Sequence, residues 1–531
     1  MATRLVTIIA IALLTLAGAV GSAAAKPGER VVGLADPHLH ITADMRAGGA
    51  VISGRAFHPD GVAAALGGDG QTHGPGGALD ITGALLRGGL PFHDTDGWPT
   101  FDGWPTFDTN THQQVYWTWL RRMWRAGLRL VVAQTVEDEP LCEIEPLRTH
   151  SCDETETIKL QVERLRELEA YVDGRSDGRG SGFLRLVESP GEARRVIARG
   201  KLAVLIGVES SNPFGCSEFM GEPQCDRADI DRGIALYRRL GIRSMFIAHW
   251  VDNAFAGAAL EGGTKGTFIN LMNRLHTGHW LRTGPCPREG QGEEPLSLTP
   301  PQLHEIVSSF PALGRIVSEA IPSYPAGPQC NTKGLTELGE YLVRRLIRNR
   351  MLIEVDHLSE PARAEVMKIA RRHSYPLVSS HTGTGGPWTD DELERLHAGG
   401  GVASARPAQA PDLVQAICDL RRTRKRGRLF GPGLGTDTGG FSTLPAPPAA
   451  DDAVSYPFRA PSGRRLDRER TGERTFDLNT DGVAHYGLFA DLLAGVAQEP
   501  RGRRTVRTLM RSAEAYLQMW ERAVRRPDRR S

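Results

Sequence analysis

The chain has 531 residues, 40% of them hydrophobic and 24% charged, with a formal net charge of +1. That length admits one large α/β barrel with insertions or two to three ordinary domains, and the composition excludes wholesale disorder, a collagen-like repeat and a multi-span membrane protein. The basic residues are mostly Arg and are interspersed with acids along the whole chain, which leaves no footprint for general nucleic-acid binding.

At the N-terminus Arg4 precedes an apolar run from Leu5 to Val20, and Ala23-Ala24-Ala25 supplies small residues for cleavage. This reads as a signal peptide over residues 1–25 and a mature chain over 26–531 that is secreted or periplasmic. A retained anchor is the competing reading, because the run approaches the roughly 17 to 25 apolar residues of a spanning helix. Its richness in Ala and Gly and the small-residue site favour cleavage, so no stable membrane anchor is expected.

Export permits disulfides. Of seven cysteines, Cys142 and Cys152, Cys216 and Cys225, and Cys286 and Cys330 are paired here by a preference for local closure. Cys418 falls among Leu413, Val414, Ile417 and Leu420 at helical spacing and is expected to be a buried thiol. No CxxC spacing supports a cysteine metal cluster.

From Val31 onward short apolar runs alternate with amphipathic stretches. Strands are expected at 31–36, 128–134, 202–208, 243–249, 351–357, 376–381, 401–405 and 431–437, each continuous in apolar character as buried parallel strands are. Helices are expected at 112–126, 154–172, 229–240, 335–350, 361–373, 390–397 and 411–424. The alternation points to a (β/α)8 TIM barrel, with a doubly wound open sheet as the lesser alternative. Insertions of about 44–110, 252–333 and 439–481 follow the first, fourth and eighth strands, where they would crowd the C-terminal face of a barrel. The first contains DGWPTF twice in tandem, and the third contains RAPSGRRLDRERTGER, expected to be mobile. A last helix carries Val506, Leu509, Met510, Ala513, Leu517 and Trp520 on one stripe. The basic run 421–428 reads as a solvated helix end, where cations are favoured.

The strand ends carry the chemistry. In DPHLH, His38 and His40 stand at i and i+2 and project to one side of the strand, as two ligands of one ion require. Glu209 closes an apolar strand, where a carboxylate needs a partner such as an Arg or a pair of metals. His249, His357, His381 and Asp437 close four further runs. Each alone has a bland explanation, but six strand ends of eight carrying His, Glu or Asp do not.

Taken in order, these residues resemble the amidohydrolase superfamily, and within it the renal or membrane dipeptidase family of binuclear zinc peptidases. The likeness lies in GKLAVLIGVES around Glu209, LYRRLGIRSMFIAHWVDNAFA around His249, the segment ending in EVDHLSE at His357, YPLVSSHTG at His381, TDDELERLHAGGGVASA, and GLGTDTGG at Asp437. It implies an exported hydrolase of the metal-dependent barrel type that cleaves a dipeptide or related small amide with a hydroxide held between two zinc ions per chain. His38 and His40 would hold one ion, His357 and His381 the other, and Glu209 would bridge. The resemblance also implies His249 as a substrate-facing group and Asp437 as the proton-transfer residue. His485 and Asn253 are weaker substrate-binding candidates, and a homodimer is compatible with the reading.

Two departures stand out. The family carries Asp where this chain has His40, which makes the site more electropositive. The family also places an Arg after the sixth-strand His to grip the peptide carboxylate, and HTGTGGPWTDDEL contains none. That bears on dipeptide specificity rather than on hydrolysis. A lactonase or phosphoesterase on the same barrel is the alternative enzyme, and an exported binding protein on a retired barrel is the alternative from another class.

Overall fold

The computed structural model describes residues 30–87, 89–145, 147–293, 324–383 and 386–525. The proposed signal segment and the middle of the second insertion lie outside the described residues.

The fold is mixed α/β, built on parallel strands with buried apolar sequences. In the first sheet the strands are β1 (Leu34–Leu39), β2 (Leu128–Glu137), β3 (Leu184–Val187), β4 (Leu202–Ser210), β5 (Ile242–Met245) and β6 (Leu352–Ile353). They run in the order β1-β2-β4-β5-β6, with β3 beside β4. A second parallel sheet holds β7 (Val378–Ser379), β8 (Val402–Ala405) and β9 (Gly433–Leu434). Isolated parallel bridges link Glu354 to Val378 and Leu39 to Thr438 at the borders between the two sheets. Every residue of β4 is buried, and in β2 all but Arg129 are, which is why neither shows the alternation of a half-exposed strand.

Each of the eight expected runs carries a strand, several shorter than expected. Sequence reasoning missed β3 and the helix after it, Pro190–Ala198. β3 pairs with Leu202–Leu205 while β5 pairs with the later half of β4, so one long strand serves two neighbours in succession. Arg185 inside LRLV breaks the apolar run and hides the strand.

The helices are stopped and started by local chemistry. Helix α1 (Trp117–Ala126) precedes β2, and α2 (Glu154–Gly174) is capped by Asp153, which accepts from Glu156 N–H at 3.0 Å. Helix α3 (Arg227–Leu240) begins in a reciprocal capping box of Asp226 and Asp229 and ends at Gly241, whose φ of 90° suits glycine. The last expected helix is two, Gly502–Leu509 and Ser512–Val524, separated at Met510-Arg511. The apolar stripe runs on across the break, which is why the sequence reads as one element. The RAPSGRRLDRERTGER segment is ordered: it forms two antiparallel pairings, Phe458–Arg459 with Arg465–Leu466 and Glu469–Thr471 with Arg474–Phe476. Trp119 Nε1 donates to Thr471 Oγ1 at 3.0 Å and Arg122 to the Asp467 carbonyl at 2.7 Å, so the charged residues hide a packed hairpin region.

Three disulfides close Cys142–Cys152, Cys216–Cys225 and Cys286–Cys330. Cys418 is free but only half-buried, because it lies at the border of the apolar face of its helix. Among the described residues no helix is long and apolar enough to cross a membrane.

Candidate metal centre

The strand ends bring His38, His40, Glu209, His249, His357, His381 and Asp437 into one buried group. The last of these depends on a close strand approach. In GLGTD, a Cβ on Gly435 would lie 1.9 Å from the Ser380 carbonyl oxygen, so glycine alone lets the segment reach the end of β7. Asp437 and His357 both have left-handed backbone, with φ of 51° and 62°. Such strain in non-glycine residues persists where the surroundings hold it in place.

Four donor atoms converge on one side. His38 Nε2 lies 3.0 Å from His40 Nε2, 3.4 Å from Glu209 Oε2 and 3.5 Å from Asp437 Oδ1. His40 Nε2 lies 3.3 Å from Glu209 Oε2 and 3.1 Å from Asp437 Oδ1. Four ligands at zinc bond lengths in a tetrahedron stand about 3.3 to 3.6 Å apart. The donor set and its spacing therefore fit one divalent ion.

The other oxygen of Glu209 faces a second group. Glu209 Oε1 is 3.3 Å from His357 Nε2, 3.7 Å from His249 Nε2 and 3.8 Å from His381 Nε2, and the last ring nitrogen is 2.9 Å from that of His357. This oxygen is buried and has no hydrogen-bond partner. An unpaired buried carboxylate oxygen is costly, and a cation among these nitrogens removes the cost.

The outward ring nitrogens are held by groups behind them. His40 Nδ1 donates to the Gln134 carbonyl at 3.0 Å, which in the neutral ring leaves Nε2 as an inward-facing lone pair. His381 Nδ1 meets Asp356 Oδ2 at 3.1 Å, His38 Nδ1 meets Ser380 Oγ at 3.0 Å, and His249 Nδ1 donates to Asp138 Oδ1 at 2.8 Å. Asp138 also accepts from Ser211 Oγ and pairs with the buried Arg46 guanidinium at 2.5 Å. Burial pushes His381 down to about 4, so its ring is neutral and able to ligate. Burial alone would raise Glu209 and Asp437, but the histidines around them hold both carboxyls well below the usual range, as anions.

Two weaker candidates lie elsewhere. His485 is buried in an aromatic nest, stacked on Trp119 at 4.2 Å and set edge-on to Phe476. Its Nδ1 accepts from the Gly487 N–H and its Nε2 lies 3.6 Å from Glu469, so it is a packing and capping residue. Asn253 spends its side chain on its own loop, donating to the carbonyls of Ser211 and Ile247 and accepting from the N–H groups of Phe255 and Ala256. Asn253 thus has all its polar atoms engaged, whereas His485 Nε2 is buried without a hydrogen-bond partner.

Sequence reasoning missed Asp138, Asp356 and Arg406. Asp138 follows β2, the strand whose end carries none of the expected ligands, and Arg406 follows β8 directly and is exposed. Glu261 is held below its usual range, burial being outweighed by charges that include Lys265, His357 and Arg406, while Glu261 Oε1 lies 4.0 Å from His357 Nδ1. The charges of Lys265 and Arg406 therefore both reach Glu261.

No family model matches the chain, and no curated protein matches it. Among solved structures it is similar to an amidohydrolase from Pseudomonas aeruginosa, at 13% identity over 76% of this chain and 92% of that one, with a TM-score of 0.42. It is similar to a metallo peptidase from Rhodobacter sphaeroides liganded with a phosphinate mimic of the dipeptide L-Ala-D-Ala, at 15% identity over 76% of this chain and 89% of that one, with a TM-score of 0.41. A third similar structure is the probable dipeptidase PvdM from Pseudomonas aeruginosa, at 14% identity over 93% of this chain and 95% of that one, with a TM-score of 0.39.

Proposed function

We propose that the protein is an exported hydrolase that cleaves a dipeptide or a related small amide, with two zinc ions shared across Glu209 and with its parallel strands acting as one (β/α)8 barrel. The observation that carries this reading is the divided carboxylate: Glu209 Oε2 faces His38 and His40, and its unpartnered Oε1 faces His357, His249 and His381. Zinc bound there supplies a Lewis acid and lowers the pKa of water toward neutrality.

The chain's own residues position and move the protons. Asp437 is anchored at Oδ2 by the Ser442 hydroxyl, and its anionic carboxylate is placed to take a proton from the attacking water and return it to the leaving amine. Asp138 fixes the His249 ring through Nδ1; burial pushes that ring toward its neutral form against the charges of Asp138 and Glu209, and Nε2 would donate to a developing oxyanion once it carries a proton. Arg406, exposed directly after β8, is our candidate cation for a substrate carboxylate. Three disulfides support export, since such bonds persist in oxidising compartments.

The test combines metal counting with a substrate screen. The wild type is expected to hold two more zinc ions per chain than a His38→Gln/Glu209→Gln/His381→Gln variant, and to hydrolyse L,L or L,D dipeptides ahead of lactones and phosphoesters. Equal zinc content in the two proteins overturns the metal reading. Turnover confined to lactones or phosphoesters overturns the amide reading and leaves the metals in place.

A further inference from the structure

A second group of metal-type side chains lies in the first insertion, apart from the strand ends. Asp69 stands just before the short helical turn Gly70–His73, with no side-chain capping bond to it, and the chain then returns twice, bringing His93 and His112 to the same carboxylate oxygen. Asp69 Oδ2 lies 2.8 Å from His73 Nδ1, 2.6 Å from His93 Nε2 and 2.6 Å from His112 Nε2. The three rings stand nearly perpendicular to one another, with centroids 4.9 to 5.3 Å apart. Asp69, His73 and His112 are buried, and the His93 side chain is 16% exposed.

Proton bookkeeping leaves this arrangement short of positive charge unless protons or a cation are added. His73 Nε2 lies 2.9 Å from the Val51 carbonyl and His93 Nδ1 lies 2.8 Å from the Pro91 carbonyl. A carbonyl oxygen only accepts, so both of these nitrogens carry hydrogen. In a neutral ring the other nitrogen is then a bare lone pair, and in both rings it points at Asp69 Oδ2, itself a lone-pair atom. His112 adds a third nitrogen to the same oxygen, while its buried Nδ1 has no partner, and Asp69 Oδ1 is likewise buried without one. Relieving this with protons alone would need doubly protonated His73 and His93, two largely buried cations set against Asp69 and against Asp80, whose oxygens lie 3.8 Å from His73 Nε2 and His93 Nδ1. One divalent ion bound by three imidazoles and a carboxylate removes the conflict, and the two carbonyls become the groups that orient the ligating rings.

We propose that Asp69, His73, His93 and His112 form a separate structural site for a zinc-type divalent ion, which fastens the first insertion. Three nitrogens and one carboxylate supply four ligands from protein alone, as structural sites do, and binding would widen the 2.6 to 2.8 Å between Asp69 Oδ2 and the rings toward the spacing of a coordinated ion. Around the site the backbone is tightly drawn: Gly77 has a φ of 73°, and a Cβ there would lie 2.3 Å from His93 Nδ1. Trp104, from the second DGWPTF copy, is fully buried and stacks on the His112 ring at 5.0 Å. Two residues before His112, Asn110 Nδ2 donates to the Phe441 carbonyl at 3.1 Å, four residues beyond Asp437. The ion therefore secures a loop that abuts the segment carrying Asp437. This inference uses none of the strand-end residues and stands or falls apart from the proposed reaction.

The experiment counts zinc in the full chain after loading with zinc alone and extensive dialysis. His93→Gln, the mildest change because that ring is partly exposed, is expected to lower the content by one ion per chain. The His38→Gln/Glu209→Gln/His381→Gln variant is expected to retain one tight ion, and adding His93→Gln to it is expected to remove that ion. Wild-type zinc content in His93→Gln, or no tight zinc in the strand-end variant, overturns the proposal. Should His93→Gln fail to fold, the strand-end variant decides alone: its retained zinc should slow proteolysis within residues 44–110, and stripping the zinc with chelator should speed it. Cleavage at the same rate with and without chelator overturns the fastening role.

Discussion

Asp138→Asn separates positioning from charge balance at the proposed active site. Asp138 accepts from His249 Nδ1 at 2.8 Å and pairs at 2.5 Å with Arg46, a fully buried guanidinium that also lies over the Phe441 ring. Asn keeps the shape and removes the counter-charge. Breaking one side of a buried pair costs about 3 to 5 kcal/mol, because the remaining charge is stranded. For a chain of about 500 residues the unfolding entropy is near 1 kcal/mol/K, so the loss corresponds to a Tm lower by roughly 3 to 5 °C. Replacing the charged acceptor that orients His249 by a neutral amide, whose NH2 must also face one of the former donors, should lower kcat by about 10- to 100-fold. The double variant Arg46→Met/Asp138→Asn removes both charges and should regain most of the Tm, since apolar replacement of a buried pair is often neutral. Its kcat should stay low. Calorimetry and steady-state kinetics on the zinc-loaded proteins read both quantities. Recovery of kcat together with Tm would refute the positioning role and leave Asp138 as a counter-ion for Arg46 alone.

Glu209→Asn should abolish turnover and release zinc from the strand-end group, checked by metal analysis; retained zinc in that group would contradict the bridging role. Arg406→Met should raise KM about 10-fold for substrates with a free carboxylate and leave their amidated forms unaffected, measured on matched peptide pairs. Burial pushes Glu137 up to about 7 against the pull of two backbone N–H groups. Between the ordinary Glu pKa of about 4.3 and pH 7, the unfolded chain has released a proton that the folded chain keeps, so stability falls as pH rises, by about 3 kcal/mol at most. Glu137→Gln mimics the protonated form, and its stability relative to wild type should therefore grow from pH 5 to pH 7 in denaturant titrations; a constant difference would contradict the raised pKa.

The alternation of strands and helices was legible because buried parallel strands are continuous apolar runs, and β2 and β4 are nearly pure examples. What hid β3 was Arg185, a charged residue that satisfies itself at the strand edge by pairing with Asp173 at 2.7 Å. The segment 459–474 looked mobile for a related reason. Its arginines are spent on specific partners, such as Arg474 on the Phe101 carbonyl and Asp481, and composition does not reveal partners. Residue type alone does not reveal that Asn253 is engaged by its own loop, or that His485 sits in an aromatic nest and caps Gly487 through Nδ1.

The two histidine groups show where sequence reading of a site succeeds and where it stops. His38, His40, Glu209, His357 and His381 could be placed together because each closes an apolar run, and the strands of a parallel sheet deliver their ends to one side. Asp69, His73, His93 and His112 have no such common frame. Only the Asp69 and His73 pair is local, four residues apart across one helical turn, while His93 and His112 arrive by irregular chain among glycines and prolines. The same holds behind the strand ends. Asp356 sits next to His357 in VDHLS, yet it serves the His381 ring, a pairing fixed by how the strands lie against each other. Ligands on regular elements inherit their geometry from the backbone period, whereas ligands on loops, and the groups that orient them, depend on contacts that only the folded chain supplies. The first insertion, longest in irregular chain before α1, is therefore where a metal would contribute most to order, because it has little repetitive backbone hydrogen bonding of its own to hold it.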